Sequence, residues 1–254
     1  MTGDPRYLAT GSEMETEKLQ HPSVIEAICE FRFSRTVSYT MIPGAMKERL
    51  RPTFSSFEIL PAAQMMTAFP ADAMIPPMPA HRFKSQVPNA LVQTGPRLLT
   101  VNVLPKYPTF EVFRKLILDT FASFQDVAEC GDPISLTLRY INHFPWSSEK
   151  QSVGDYLEWA VAYPDRLPHP PQAVGARVVL PFQDLGNLSI SVSSPAQVGS
   201  GEIGVLLDLE VSESKPDGLD SKRFPEWLNV AHDAIYSAFQ SSVKKEIMEK
   251  MRGR

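Results

Sequence analysis

The stretch Ile134-Ser135-Leu136-Thr137-Leu138-Arg139-Tyr140-Ile141-Asn142-His143-Phe144 decides how the rest of the chain is read. Ile134, Leu136, Leu138, Tyr140 and Phe144 alternate with Ser135, Thr137, Arg139 and His143. Side chains of a strand point to opposite faces in turn, so the pattern predicts a strand with one buried and one wet face. Asn142 falls on the buried side beside Tyr140, where it is expected to satisfy a backbone group. Arg139 and His143 leave by the wet side, and two readings stand for them. They bind an anion or move a proton, or they pair across strands with Glu26, Glu30, Asp208 or Glu210.

Upstream, Ile25, Ala27, Cys29, Phe31 and Phe33 alternate with Glu26, Ile28, Glu30 and Arg32, a first half-buried strand. A short helix is predicted over 43–51, with Pro43 at its start, where a missing N–H costs nothing. Between residues 55 and 88 the chain is rich in Pro and Met, which reads as an ordered surface excursion holding one strand near 81–87. Residues 90–94 and 98–104 flank Gly95-Pro96-Arg97 as a hairpin. Thr109 is placed to N-cap a helix with Glu111 in its first turn. Phe110, Phe113, Ile117, Phe121, Phe124 and Ala128 then recur at helical spacing. Gly131-Asp132-Pro133 stops it.

Downstream, Ser152-Val153-Gly154-Asp155 resembles a capping box opening a helix that runs on to Pro164. Three strands follow, around 174–182, 188–193 and 203–211, with a loop from Ser194 to Gly201. A last helix is predicted over 221–250, with Phe224, Trp227, Leu228, Ala231, Ile235, Phe239 and Ile247 along one stripe. Each half thus reads strand, short helix, strands, long helix. The expected fold is α+β, one antiparallel sheet with two long amphipathic helices on one face. A tandem β-α-β-β-β-α pseudo-repeat would divide residues 21–131 from 132–254, after an N-terminal arm at 1–20.

The chain has 254 residues, 43% of them hydrophobic and 21% charged, an ordinary globular composition that needs no staples. A net charge of −4 and a pI of about 5.8 disfavour a dedicated nucleic-acid binder, which usually carries a basic surface. Residues 1–20 lack the basic and apolar regions of an export signal, and no apolar run could span a bilayer. The expectation is a cytoplasmic protein whose two cysteines, Cys29 and Cys130, stay reduced.

Chemical motifs are scarce. Gly199-Ser200-Gly201-Glu202-Ile203-Gly204 matches G-x-G-x-x-G, but its glycines open a strand instead of a helix, so a hairpin loop is expected and not a nucleotide site. The five histidines, His21, His81, His143, His169 and His232, show no metal-ligand spacing, so no metal or cofactor is expected. A third reading, a hydrolase with a site assembled from distant residues, would show as a deep pocket of convergent polar groups with perturbed pKa values.

Several short segments nevertheless look alike to those of a known group. His21-Pro22-Ser23-Val24-Ile25-Glu26-Ala27, Leu138-Arg139-Tyr140-Ile141-Asn142 and Trp227-Leu228 with Ala231-His232, Ile235 and Phe239 together resemble a sporadically distributed bacterial family of about this size, uncharacterised as a class. Leu104-Pro105-x-Tyr107 and Phe110-Glu111-x-Phe113 fit its middle. The resemblance brings no reaction and no catalytic residues. Its patchy occurrence implies an accessory gene, of the kind found in phage defence or toxin–antitoxin pairs.

The expected function is therefore a non-enzymatic binding protein acting through the wet sheet face. Arg32, Asn102, Arg139, His143, Arg177, Asp208 and Glu210 are the candidate contacts, and a protein partner or a second copy the expected occupant. The alternative is a nucleic-acid-binding or processing protein in which Arg32, Arg139 and Arg177 converge with Lys106 and the Lys244-Lys245 end of the last helix.

Overall fold

The structure is a computed structural model describing residues 19–34, 42–60, 81–95, 97–159, 172–182, 186–199, 201–215 and 217–254. Along the first half run β1 (Val24–Phe33), α1 (Ile42–Leu50), β2 (Ser56–Ile59), β3 (His81–Gln86), β4 (Asn89–Gly95), β5 (Leu98–Val103) and α2 (Phe110–Ala128). The second half follows with β6 (Pro133–Pro145), α3 (Val153–Tyr156), β7 (Val174–Pro181), β8 (Asn187–Gln197), β9 (Ile203–Ser214), α4 (Phe224–Ser242) and α5 (Lys245–Met251). The strands form one nine-stranded sheet, ordered β2-β3-β4-β5-β1-β6-β9-β8-β7, and every pairing in it is antiparallel. The fold is α+β, as the alternating and helical spacings predict.

The stretch around Arg139 lies at the sheet's middle because β6 pairs with both β1 and β9. Its even-numbered side chains turn toward the helices. Phe31, on the same face of β1, stacks on Phe121 of α2 at 4.5 Å and meets Phe224 of α4 edge-on at 4.9 Å. Both long helices therefore cover one side of the sheet. Phe31, Leu138, Leu207, Phe113 and Leu228 are fully buried between the layers. Burial of each such side chain stabilises the fold by roughly 1.5–3 kcal/mol before ordering entropy is set against it.

Thr109 takes extended backbone geometry before α2, and its hydroxyl accepts from the Val112 N–H at 3.4 Å. At the far end Glu129 adopts the left-handed conformation, φ 47°, that lets the chain leave the helix. The glycine-rich match at 199–204 lies where β8 passes into β9, as a hairpin. A side chain at Gly204 would overlap the Phe144 carbonyl and the His143 imidazole, so that glycine serves close strand packing.

Four local expectations fail, each for a readable reason. Ser56–Ile59 forms an edge strand inside the stretch read as an excursion, held by Glu58 against Arg82 and Lys84 of β3. The helix from Ser152 has its predicted start, with the Asp155 carboxylate accepting from Ser152 N and Oγ, but lasts a single turn. Leu157 leaves it extended and bridges Val243. That bridge also breaks the predicted 221–250 helix: Glu158 N donates to Ser242 O and Lys244 N to Tyr156 O, taking backbone groups a continuous helix would use. Finally, β8 continues through the predicted loop to Gln197, tolerating Pro195 at a register shift between Ser193 and Ala196. Both cysteines are free and buried. Residues 1–18 of the arm, the core of the Met/Pro stretch at 61–80, and His169 lie outside the described residues. Among the described residues no helix is long and apolar enough to cross a membrane.

Candidate functional site

The wet sheet face carries the candidates the alternation assigns to it, and the register shows what each one does. Arg139 donates through Nε to Asp208 Oδ1 at 2.8 Å and through a terminal nitrogen to Oδ2 at 2.5 Å, a bidentate pair across β6 and β9. Asp208, Glu210 and Glu26 all raise the guanidinium's pKa, Asp208 most through its hydrogen bond. One cation thus stands among three carboxylates. Arg32 bonds Glu30 at 2.5 Å, Arg177 donates to Ser189 Oγ at 3.2 Å, and Asn102 donates to Glu26 at 2.6 Å. The pairing alternative, weighed against anion binding for Arg139, is what the geometry displays.

Two of the candidates are not exposed. Asn102 is recessed at 5% exposure and His143 at 6%, the latter against Gly204. The arginines do not converge either. Arg32 sits opposite Ser135, four positions along β6 from Arg139, and Arg177 lies on β7, three strands from β6. Lys244 and Lys245 belong to the α4–α5 junction on the helix side.

A different group of residues meets on that helix side. A cleft of about 350 Å³ opens between the start of α2 and the middle of α4, floored by β6 and β9. Leu19, Pro22, Val24, Leu209, Ile235, Phe239 and Met251 give it apolar walls. The α2 N-cap brings in Tyr107, Phe110 and Glu111, β6 contributes Tyr140 and Asn142, and α4 presents His232 and Tyr236 one turn apart. This size and lining are those of a small-molecule site.

The polar groups there are held in unusual states. His232 lies flat on Phe110, ring centres 3.6 Å apart and planes 7° from parallel, with Tyr140 edge-on at 5.9 Å. Burial pushes its pKa down to about 4, against a smaller opposing pull from Glu111, so the imidazole is neutral at pH 7. Asp233 Oδ1 is 3.6 Å from Nδ1, too far for a hydrogen bond. The Tyr107 and Tyr140 hydroxyls share one hydrogen bond of 2.9 Å, and burial raises both pKa values so both stay protonated. Asn142 accepts from Ser23 Oγ at 3.0 Å and reaches Leu207 O only at 3.4 Å, the backbone role expected of it. The buried Tyr236 hydroxyl has no partner among the described residues. Glu111, at the mouth, is held ionised by its hydrogen bond with Thr109 first, then by the backbone of the helix start.

Reading by strand alternation missed this site because its residues come from six segments and lie on the buried side of the pattern. A signal was nonetheless present. Pro22, Tyr107, Phe110, Glu111, Tyr140, Asn142, His232, Ile235 and Phe239 all lie in short segments that the sequence reading set apart, and all line the cleft.

No family model matches the chain, and no curated protein matches it. Among solved structures it is similar to one titled Methanococcus jannaschii TBP, at 9% identity, over 85% of this chain and 99% of that one, with a TM-score of 0.27. A likeness of that strength carries no argument about fold or function.

Proposed function

We propose that this is a non-enzymatic binding protein whose site is the cleft between α2 and α4. The observation that carries the reading is the convergence, in an apolar cleft of about 350 Å³, of polar groups that the fold leaves incompletely bonded. Binding is favoured over chemistry because, among the described residues, His232 has neither a hydroxyl or thiol bonded to it nor a carboxylate close enough to orient it. A thermal-shift screen of small molecules tests this. Ligands are expected to raise the melting temperature of the parent and not of Ile235→Trp, which fills the cleft; a library that stabilises both chains alike would sink the reading.

The open sheet face supports a second reading, a protein partner or second copy, since it is broad and polar and of mixed charge. Light scattering and pull-down with neighbouring-gene products address it, and together they also test an accessory role in phage defence or a toxin–antitoxin pair. Nucleic acid on that face is poorly supported, because its arginines are engaged with Asp208, Glu30 and Ser189. The outward strand orders β1-β5-β4-β3-β2 and β6-β9-β8-β7, each half closed by a long helix, support reading the halves as a tandem repeat.

A further inference from the structure

We infer that the cleft takes an uncharged, ring-bearing small molecule that offers hydrogen-bond acceptors, such as an aromatic carbonyl compound or an N-heterocycle. The inference rests on the cleft being the binding site and specifies what enters it.

The argument is an inventory of charge and of hydrogens. Among the described residues no Lys or Arg lines the cleft, so an anion would be stripped of water with no counter-charge and with the Glu111 carboxylate at the mouth. A cation would find that carboxylate at the mouth, already engaged by Thr109, and among the described residues no other carboxylate deeper in. The interior is therefore selective for neutral molecules.

Three hydrogens on its polar wall lack an acceptor among the described residues. Two hydroxyls joined by one hydrogen bond hold two protons and use one between them, so the Tyr107–Tyr140 pair has a proton to donate. Tyr236 has another, since its buried hydroxyl bonds nothing among the described residues. Asn142 adds a third, because its amide carries two hydrogens and makes a single, long bond to Leu207 O. A ligand with carbonyl or ring-nitrogen acceptors satisfies these groups, whereas a hydrocarbon would bury them unbonded. The rings of Tyr107, Phe110, Tyr140, Tyr236 and Phe239 supply flat apolar walls, which suit a ring better than a flexible chain.

Four probes of nearly one shape isolate each element: acetophenone, benzoate, benzylamine and ethylbenzene, titrated against the full chain by NMR at pH 7. Acetophenone is expected to bind about tenfold or more tightly than benzoate or benzylamine, the effect of burying an unpaired charge. It should exceed ethylbenzene by about three- to tenfold, the worth of one or two hydrogen bonds. Tyr236→Phe, which removes only the hydroxyl, should narrow that last gap, and Ile235→Trp should abolish binding of every probe. If all four bind equally, or an ionic probe binds best, and Ile235→Trp still removes them, the ligand class is wrong while the cleft remains the site. If no probe binds, or Ile235→Trp binds them as the parent does, the cleft reading falls and the inference with it. Tyr236→Phe keeps the test decisive should Ile235→Trp fail to fold.

Discussion

On the open face Arg139 meets Asp208 through two hydrogen bonds, whereas across the sheet the buried Tyr236 hydroxyl has no partner among the described residues. Both regions are built from the same β6 strand, one from its odd and the other from its even positions. The open face has the more conspicuous charges, yet Arg32, Arg139 and Arg177 each have a partner within the fold. The cleft has fewer polar groups, and several are unspent. Asn102 Oδ1 and His143 Nε2 on the open face, like the Tyr236 hydroxyl in the cleft, lack a partner among the described residues, so what sets the cleft apart is its concave, largely apolar lining around such groups.

Six substitutions probe the contrast, beginning with the largest expected effect. Phe31→Ala removes the ring that joins both helices to the sheet and should cost about 3–5 kcal/mol in urea denaturation, loosening cleft and open face together. An effect below about 1 kcal/mol would mean the helix layer does not depend on this contact.

The pH dependence of stability comes next. His232 has a folded pKa of about 4 against an ordinary 6.5, so the unfolded chain binds the proton more readily. Its contribution is intact above pH 6.5 and is lost as pH falls toward 4, by up to about 3 kcal/mol at 1.36 kcal/mol per unit. His232→Phe should flatten that part of the curve. Denaturation at a series of pH values, parent against variant, isolates the imidazole from His81, which burial also shifts downward, and from Asp233, which burial shifts upward.

Asp208→Ala on the open face should cost about 1–2 kcal/mol, because it leaves Arg139 without its bidentate partner. Pairing it with Arg139→Ala should recover part of the loss. Strict additivity in that double-mutant cycle would show that the two side chains do not interact in solution. Smallest of all, Tyr236→Phe should leave stability within about 0.5 kcal/mol of the parent or raise it, since the hydroxyl it deletes bonds nothing among the described residues. Tyr107→Phe, by contrast, should lose about 1 kcal/mol with the shared bond to Tyr140.

Period-two spacing in β1, β6 and β9 and helical spacing from Phe110 to Ala128 made the central sheet and its helix layer readable from sequence. These signals are local, and each element is long enough to repeat them. Where the chain departs, a distant backbone had intervened. Leu157 and Val243 are far apart in sequence, and their bridge ends one helix and divides another. Ser241-Ser242-Val243, all modest helix formers, hinted at the break without locating its partner. The cleft was illegible for a related reason. His232 sits on an apolar stripe where a core histidine and a site histidine look alike, and only the approach of Phe110 and Tyr140 tells them apart.

The clasp between His21 N and Met251 O, 3.0 Å long, has a mechanical consequence. Leu19 and Pro22 on one side of it and Met251 on the other are walls of the cleft, so tension applied near residue 19 or near residue 251 is borne by the cleft before it reaches the sheet. A bulky protein fused at either end should therefore weaken acetophenone binding measurably while the Arg139–Asp208 coupling energy stays as in the unfused chain; equal binding in both would show that the clasp carries no load.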